Sequence, residues 1–236
     1  MSNPYFQFKQ FTVWHDKCAM KVGTDGVLLG AWTSVESAHR ILDIGTGTGL
    51  VALMLAQRSL PDANIVALEI DEAAVGQARE NIIRSPWKER VEVVQADFKK
   101  YRSSDKFDVI VSNPPYFVDS LECPDRQRAA ARHNDSLTYE DLLEGVSGLL
   151  AEDGFFTMVI PADVAERVKK IAYMRKLYAV RQLNVITKPG GIPKRVLITF
   201  SFSNQECIVE ELLTELARHQ YSEEYMTLTR DYYLNM

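Results

Sequence analysis

The 236-residue chain has few cysteines and no long apolar run. Its three cysteines, Cys18, Cys123 and Cys207, lie far apart and are odd in number, which argues against a disulfide framework or a zinc site and favours a reducing cytosol. The longest apolar stretches, such as residues 51–56, are far shorter than the roughly 20 residues that a transmembrane helix needs. The N-terminus has no apolar segment typical of a secretory signal, so we expect a cytoplasmic protein without a membrane partner.

The sequence also lacks internal repeats, low-complexity runs and a metal-binding pattern. Its histidines, at positions 15, 39, 133 and 219, show none of the spacing of a zinc site, and we expect no bound metal. The length suits one α/β domain, and a charged content of 25% is ordinary for a globular protein. None of these properties indicates an oligomeric state.

Charge is distributed unevenly along the chain. The formal net charge is −5 at pH 7, and acidic residues outnumber basic ones after residue 204. Lysine and arginine instead dominate residues 166–195, where Glu166 is the one acid. This basic block fits a polyanion such as nucleic acid. A solvated helix face followed by a lysine-rich turn explains it equally well.

Strand-like and helix-like segments alternate through most of the chain. The predicted strands are 41–44, 64–70, 91–95, 107–111 and 154–160, and the predicted helices include 50–57, 71–83 and 162–176. This alternation predicts βαβ units and a mostly parallel sheet.

The C-terminal part departs from this alternation. Strand-like residues 177–187 and 195–203 are joined by a Gly- and Pro-rich turn, residues 188–194, which predicts an antiparallel pair. Residues 206–219 have the apolar spacing of a helix.

Glycines or acids follow three successive predicted strands. The first strand leads into Asp43-x-Gly-x-Gly-x-Gly49, where glycines let the backbone approach a ligand closely. The second ends in Glu69, which suits two ribose hydroxyls, and the third leads to Asp97 and Phe98, which suit an adenine amine and ring. Each acid alone also fits a helix N-cap. Because open α/β sheets bind ligands at strand ends, the full set predicts a nucleoside site.

This order of elements resembles the class I S-adenosylmethionine-dependent methyltransferases over about residues 40–203. The resemblance implies a Rossmann-like α/β fold, in which a seven-stranded, mostly parallel sheet with a terminal antiparallel strand has helices on both faces. We expect a single domain, with a covering segment at 1–39, a catalytic core at 40–203, and a C-terminal helix and tail at 204–236. The implied cofactor is S-adenosyl-L-methionine. The residues expected to bind it are Lys21, Thr24, Asp25, Asp43, Gly45, Gly47, Gly49, Glu69, Ile70, Asp97, Phe98 and Asn113.

The stretch Ser-Asn-Pro-Pro-Tyr-Phe follows the predicted strand 107–111. It resembles the (D/N/S)PP(Y/F) motif of methyltransferases that modify amino groups conjugated to a π-system. Such an amine is a poor nucleophile, and two acceptor oxygens can orient its N–H groups. The expected catalytic residues are Asn113, Pro114, Pro115 and Tyr116, with the tyrosine stacking on the base. The alternative is a plain proline turn that ends a strand.

The motif leaves three acceptors open: adenine N6 in a nucleic acid, guanine N2 in rRNA, and the glutamine amide of a release factor. Release-factor enzymes carry a helical domain ahead of the catalytic one, and the residues before the first predicted strand are too few for it. Residues 9–32 instead resemble the N-terminal signature of the bacterial tRNA(Val) adenine N6-methyltransferases. This resemblance places Thr24 and Asp25 near the methionine part of the cofactor, although either also fits a helix N-cap.

The family resemblance implies tRNA as the partner and the adenine at position 37, beside the anticodon, as the target. The C-terminal residues 221–236 also look like that family's C-terminus. Residues 122–135 fit either a phosphate-gripping loop or a mobile loop with internal ion pairs. The residues expected to contact RNA are Tyr116, Phe117, Arg126, Arg128, Arg132, Lys188, Lys194 and Arg195.

Overall fold

A computed structural model describes residues 3–18, 21–114, 137–218 and 220–235. The strands, in chain order, are β1 Tyr5–Gln7, β2 Thr12–Trp14, β3 Arg40–Ile44, β4 Asn64–Glu69, β5 Val91–Gln95, β6 Phe107–Ser112, β7 Leu150–Pro161, β8 Tyr178–Ile186, β9 Arg195–Ser201, β10 Ile208–Leu213, β11 Glu215–Ala217 and β12 Gln220–Tyr221. The helices are α1 Thr24–Trp32, α2 Leu50–Arg58, α3 Glu72–Ile83, α4 Tyr139–Leu149, α5 Ala165–Tyr173 and α6 Glu223–Thr229, and a short 3-10 helix spans Ala162–Val164.

The central sheet has eight strands among the described residues, in the order β10-β8-β9-β7-β6-β3-β4-β5. The strands from β7 to β5 pair in parallel, as the βαβ alternation predicts. Strand β9 is antiparallel to both β7 and β8. The predicted Rossmann-like arrangement is therefore confirmed, and the predicted antiparallel strand is present at β9.

The prediction of a helix over residues 206–219 is wrong. Residues Ile208–Leu213 form β10, which pairs in parallel with the outer edge of β8 and adds a strand to the expected seven. The sheet edge offers a row of backbone donors and acceptors, and pairing with them outweighs the helical spacing of the apolar residues. The C-terminal helix forms later, as α6, where Ser222 caps it by accepting from the Tyr225 backbone N–H.

Apolar side chains cover the two faces of the sheet. One core cluster joins α1, α2 and α3 to the sheet and includes Val27, Leu53 and Ala78, all fully buried. The other joins α4 and α5 to the opposite face and includes Val146 and Val168. Helix α1 comes from the N-terminal segment, so this segment is part of the core.

The two ends of the chain are fastened to the domain next to each other. Phe8 pairs as an isolated bridge with Tyr233, and their rings stack at 5.9 Å. The Tyr232 hydroxyl is buried and donates to the Met54 carbonyl of α2 at 3.1 Å. Near β2, the buried Asn81 side chain of α3 bonds both backbone groups of Trp14. Both terminal segments therefore have fixed positions over one face of the sheet.

Within the described residues, no helix combines the length and the apolar character needed to cross a membrane.

Helices α1 and α2 touch at Gly30, and this contact gives a test of the packing. A Cβ added at Gly30 would lie 2.7 Å from the Met54 Cβ, so Gly30→Ala should lower the free energy of unfolding by about 1–3 kcal/mol. Gly76, in the middle of α3, has no atom within 4 Å of a built Cβ. Gly76→Ala should instead stabilise by about 0.5–1 kcal/mol, because alanine favours a helix. Urea unfolding of both variants measures these changes, and an unaltered stability of Gly30→Ala would contradict the packing.

Candidate active site

The parallel register brings the ends of four strands to one edge of the sheet. Ile44 pairs with Leu68 on one side and with Ser112 on the other, and Glu69 pairs with Gln95. The Ser112 hydroxyl also donates to the Ile44 carbonyl at 3.0 Å. The segments after β3, β4, β5 and β6 therefore start side by side, where open α/β sheets bind ligands.

The glycine turn between β3 and α2 is held against β4. The backbone N–H groups of Gly45 and Thr46 both donate to the Leu68 carbonyl at 2.9 Å. Gly45 and Gly47 have positive φ angles of 72° and 57°, which favour glycine. A Cβ built on either would meet no atom within 4 Å, so both present bare backbone to open space. This is the surface against which a ligand can lie closely.

The buried side chain of Asp43 stabilises the glycine turn through hydrogen bonds. Its carboxylate accepts from the Thr46 hydroxyl at 2.6 Å and from the Ala52 backbone N–H at 3.2 Å. The side chain is buried, and this burial raises the pKa of Asp43 to about 7, against the two hydrogen bonds, with a smaller contribution from the Glu69 charge. Asp43 therefore positions the loop and the start of α2.

Glu69 stands at the end of β4 and turns its carboxylate over the glycine turn. One oxygen accepts from the Gly47 N–H at 2.9 Å, and the other accepts from the N–H groups of Ile70 and Asp71 at 2.8 and 3.0 Å. The N-cap of α3 is Asp71, whose side chain accepts from Ala74. The alternative of Glu69 as a helix cap is therefore excluded, and its carboxylate is fixed at the rim of the site.

A cavity of about 330 Å³ opens at this point. That volume lies within the range of small-molecule sites, about 300–1,000 Å³. The predicted cofactor residues that line it are Lys21, Asp25, Asp43, Gly45, Gly47, Glu69 and Asn113. Bare glycine backbone and a fixed carboxylate suit the ribose and the amino-acid part of a nucleoside cofactor, so the residues fit S-adenosylmethionine.

The start of the Asn-Pro-Pro-Tyr motif lines the same cavity. Asn113 is half-buried and Pro114 is buried, directly after β6. A Cβ on Gly26 of α1 would lie 3.9 Å from the Asn113 side-chain nitrogen and 3.0 Å from Leu50. Gly26 thus lets α1 pass closely over the motif. The helix begins after Gly23, with no side-chain cap, so Thr24 and Asp25 are first-turn residues and not the N-cap.

Several predicted cofactor residues do not line this cavity. Thr24 faces the larger neighbouring cavity, Gly49 packs against Ala78 and Ile70 is 59% exposed. Asp97 accepts from the Lys99 N–H. The buried Phe98 ring packs against Gly145 of α4, where a Cβ would lie 2.5 Å from the ring. Their roles toward the cofactor stay predictions.

A second cavity of about 910 Å³ lies beside the first. Asp25 lines both cavities, and its carboxylate accepts from the Arg195 guanidinium at 3.0 Å. Lys194 and Arg195, two predicted RNA contacts, line this larger cavity, whereas Lys188 lies exposed in the β8–β9 turn. The sequence interpretation missed the tyrosines of its wall, although several of them belong to the C-terminal stretch 221–236. It also missed Cys18 and Thr46 in the smaller cavity.

The basic block at 166–195 does not form a single patch. Its hairpin turn lies at the carboxyl edge, because Arg195 pairs with Pro161 at the end of β7. Other members of the block pair with acids. These pairs are Arg167–Glu140 at 3.5 Å, Arg175–Glu144 at 3.0 Å and Arg181–Glu210 at 2.8 Å. The hairpin turn is therefore the part of the block nearest the site.

Some predicted residues fall outside the described residues. They are Pro115, Tyr116, Phe117, Arg126, Arg128 and Arg132, together with the rest of the 122–135 segment. In the described part of the chain, no group of three or more His, Cys, Asp or Glu side chains is arranged to hold a metal ion.

Comparison with known families agrees with this geometry. The family described as "Methyltransferase small domain" matches residues 22–182, which is more than half of the chain, and the chain belongs to that family. Two curated relatives are both named tRNA1(Val) (adenine(37)-N6)-methyltransferase. The protein from Bacteroides thetaiotaomicron is 78% identical over 236 residues, 100% of each chain. The protein from Yersinia enterocolitica is 44% identical over 98% of this chain and 92% of its own.

Solved structures agree on the fold. A predicted O-methyltransferase, Atu636 from Agrobacterium tumefaciens, superposes with a TM-score of 0.70 at 20% identity, covering 90% of this chain and 100% of the other. The ribosomal protein L11 methylase from Lactobacillus delbrueckii subsp. bulgaricus superposes with a TM-score of 0.58 at 15% identity, covering 81% and 84%. The resemblance to class I methyltransferases is confirmed, and S-adenosylmethionine is the cofactor.

The buried carboxyl group of Asp43 gives a pH-dependent prediction. Its pKa of about 7 in the folded protein exceeds the usual 3.8. The folded state binds the Asp43 proton more tightly than the unfolded state does. Protonation of Asp43 therefore stabilises the folded protein fully below about pH 4, and this contribution is lost as the pH rises through about 7. Asp43→Asn removes this titration, so its stability relative to the wild type should rise between pH 4 and 7. Urea unfolding at several pH values measures this, with Asp153→Asn, at an exposed position, as control. A constant difference across that range would contradict the shifted pKa.

Proposed function

We propose that this protein transfers a methyl group from S-adenosylmethionine to N6 of adenine 37 in tRNA1(Val). The observation that carries the proposal is that Asn113 and Pro114 open into the same cavity as the glycine turn and Glu69. Binding groups for the donor and for a planar amine therefore share one space. The relatives named for this reaction match the chain from end to end.

The donor is held by the groups at the strand ends. The Glu69 carboxylate would accept from the ribose hydroxyls of S-adenosylmethionine, and the backbone of Gly45 and Gly47 would lie against its nucleoside. Lys21 and Asp25 line the same cavity and would hold the amino-acid part. When bound, S-adenosylmethionine supplies a methyl group already activated as a sulfonium. The protein then needs mainly to align the acceptor, which contributes about 7–11 kcal/mol in well-oriented systems.

The acceptor amine is held by the start of the motif. The Asn113 side-chain oxygen and the Pro114 carbonyl accept from the two N–H groups, which turns the nitrogen lone pair toward the donor. Proline suits this position because its φ is fixed and it has no N–H to compete. Tyr116 stacks on the adenine, and base–aromatic contacts of this kind contribute about 1–3 kcal/mol.

No general base among the cavity residues is required. Asp43 has the raised pKa, but its carboxylate is occupied by Thr46 and Ala52 and stays buried. The methylated amine is acidic enough to lose its extra proton to water. Asp43 is thus a positioning residue for the loop.

The RNA is held by exposed positive charge beside the cavity. Lys188, Lys194 and Arg195 lie on or beside the β8–β9 turn at the carboxyl edge, and we assign them to phosphates of the anticodon arm. Arg126, Arg128, Arg132 and Phe117, which lie outside the described residues, are proposed as further RNA contacts on the sequence alone. The target sits in a loop, where extruding a base costs less than in a duplex. A tRNA substrate favours a cytoplasmic location.

The direct test of substrate class is transfer of labelled methyl groups from S-adenosylmethionine into separate pools of tRNA, rRNA and a release factor. We expect label in the tRNA pool, and higher salt should reduce it because phosphate contacts release counterions. Label in rRNA alone would favour the guanine-N2 alternative. Label in the release factor alone would contradict an RNA substrate.

A second prediction concerns Asn113. Asn113→Ala removes one oriented acceptor and should lower kcat for tRNA about 100- to 1,000-fold, as loss of one preorganised active-site group does elsewhere. The dissociation constant of S-adenosylmethionine, measured by calorimetry, should stay within about twofold of the wild type. Asn64→Ala, at the opposite edge of the sheet, is the matched control. Loss of cofactor binding in Asn113→Ala would make Asn113 a cofactor ligand or a structural residue.

A further inference from the structure

The larger cavity lies at the same edge of the sheet as the acceptor motif. Strand β8 ends at Ile186, which pairs with Leu213 at the end of β10, and β9 begins there at Arg195. Val185, Thr187, Arg195 and Thr214 all line the cavity from this edge. The cavity therefore continues the line of strand ends beyond β7, next to the methyl-transfer site.

The first turn of α1 separates the two cavities. Asp25 lines both of them, while Thr24 and Leu28 line only the larger one and Gly26 only the smaller one. The ion pair between Asp25 and Arg195 ties this turn to the start of β9. A group bound in one cavity is therefore separated from a group in the other by a single helical turn.

Aromatic rings from both ends of the chain form one wall of the larger cavity. Tyr5 and Phe6 come from β1, and Tyr221, Tyr225 and Tyr233 come from the C-terminal segment. The Tyr221 ring is 5.3 Å from Tyr225, which is 6.5 Å from Tyr233. Tyr225 is only 3% exposed, whereas Tyr221 is 37% exposed. The buried Tyr225 ring supports Tyr221 from behind, and the Tyr221 ring is accessible to a ligand.

Charged groups stand at the rim of this aromatic wall. Lys194 is exposed, and Arg195 is half-exposed although it is paired with Asp25. Glu215 supplies a carboxylate to the same lining. Aromatic faces beside the exposed Lys194 suit a base attached to a phosphate, because the base stacks on a ring while the phosphate meets the lysine ammonium group.

We propose that this cavity, lined by tyrosines, binds the base of an unpaired nucleotide directly beside the methylated adenine. The proposal rests on the proposed function and adds a second nucleotide subsite to it. The methylated adenine itself belongs in the smaller cavity, because Asn113 and Pro114 line that one and not the larger one. An extruded adenine leaves its neighbour unstacked, and Tyr221 replaces the lost stacking partner.

The test compares two substitutions at Tyr221 in the full-length protein. Tyr221→Ala should weaken binding of an anticodon stem-loop about 10-fold, the size expected for loss of one base–aromatic stack. Tyr221→Phe keeps the ring and should bind like the wild type. Tyr173→Ala is the matched control, since Tyr173 is 68% exposed and packs on Tyr178 at the opposite edge of the sheet. The dissociation constant of S-adenosylmethionine should be unchanged in all three variants.

A double-mutant cycle identifies the bound nucleotide. The affinities of the wild type and of Tyr221→Ala are measured for stem-loops that carry an abasic residue immediately 5′ or 3′ of the target adenine. One abasic position should weaken wild-type binding about 10-fold and leave Tyr221→Ala binding unaffected. Additive losses at both positions would overturn the proposal. Unchanged affinity of Tyr221→Ala for the intact stem-loop, or a parallel loss of cofactor affinity, would also overturn it.

This readout separates the two proposals. Binding is measured by fluorescence anisotropy and does not depend on methyl transfer. If the wild type binds the stem-loop with Tyr221 coupling but methylates no adenine N6, the proposed function fails and the subsite stands. If methylation of adenine N6 is observed without coupling at Tyr221, the proposed function stands and the subsite fails.

Discussion

The constraint on which the site depends is the parallel register of β6, β3, β4 and β5. Because Ile44 pairs with both Leu68 and Ser112, the glycine turn, Glu69 and the Asn-Pro segment begin at the same height on the sheet. A slip of one strand by a residue would separate its group from the others, since the slip would also turn the side chains of that strand to the other face. The buried Asp43 then fixes the turn, and Glu69 fixes its own position by accepting from three backbone N–H groups. Positions in this part of the site are therefore set by hydrogen bonds made before any ligand binds.

The N- and C-terminal segments of the chain form the remaining walls of the two cavities at the carboxyl edge of the sheet. Helix α1 passes over the motif at Gly26, and its first turn divides the space at the carboxyl edge into a smaller cavity, lined by the glycine turn and Asn113, and a larger one lined by tyrosines. The C-terminal segment is anchored by Tyr232 on α2 and carries the tyrosine wall. This division suits a reaction in which a small cofactor and part of a large substrate bind side by side.

Local signals in the sequence predicted the sheet core and several of the residues that line the smaller cavity. The glycine turn, Glu69 and the Gly-Pro turn at 188–194 each depend on residues close in the chain, and strand alternation with helices fixes the parallel order. The apolar spacing of residues 208–213 fits a helix as well as a half-buried edge strand, so only pairing with β8 decides it. Phe98 comes shortly after β5, where a ligand contact is expected, yet its ring packs in the core against Gly145. The larger cavity is lined by residues more than two hundred positions apart in the chain. No spacing pattern in a single sequence indicates that such distant residues lie together.

In the proposed reaction, the shared cavity aligns an adenine N6 of tRNA with the methyl donor. The most direct measurement is mass spectrometry of nucleosides and of nuclease fragments from unmodified tRNA1(Val) after incubation with the protein and S-adenosylmethionine. We expect N6-methyladenosine in the fragment beside the anticodon, at position 37, and none when the protein is omitted. Methylation at guanine N2, or at an adenine elsewhere in the molecule, would contradict it.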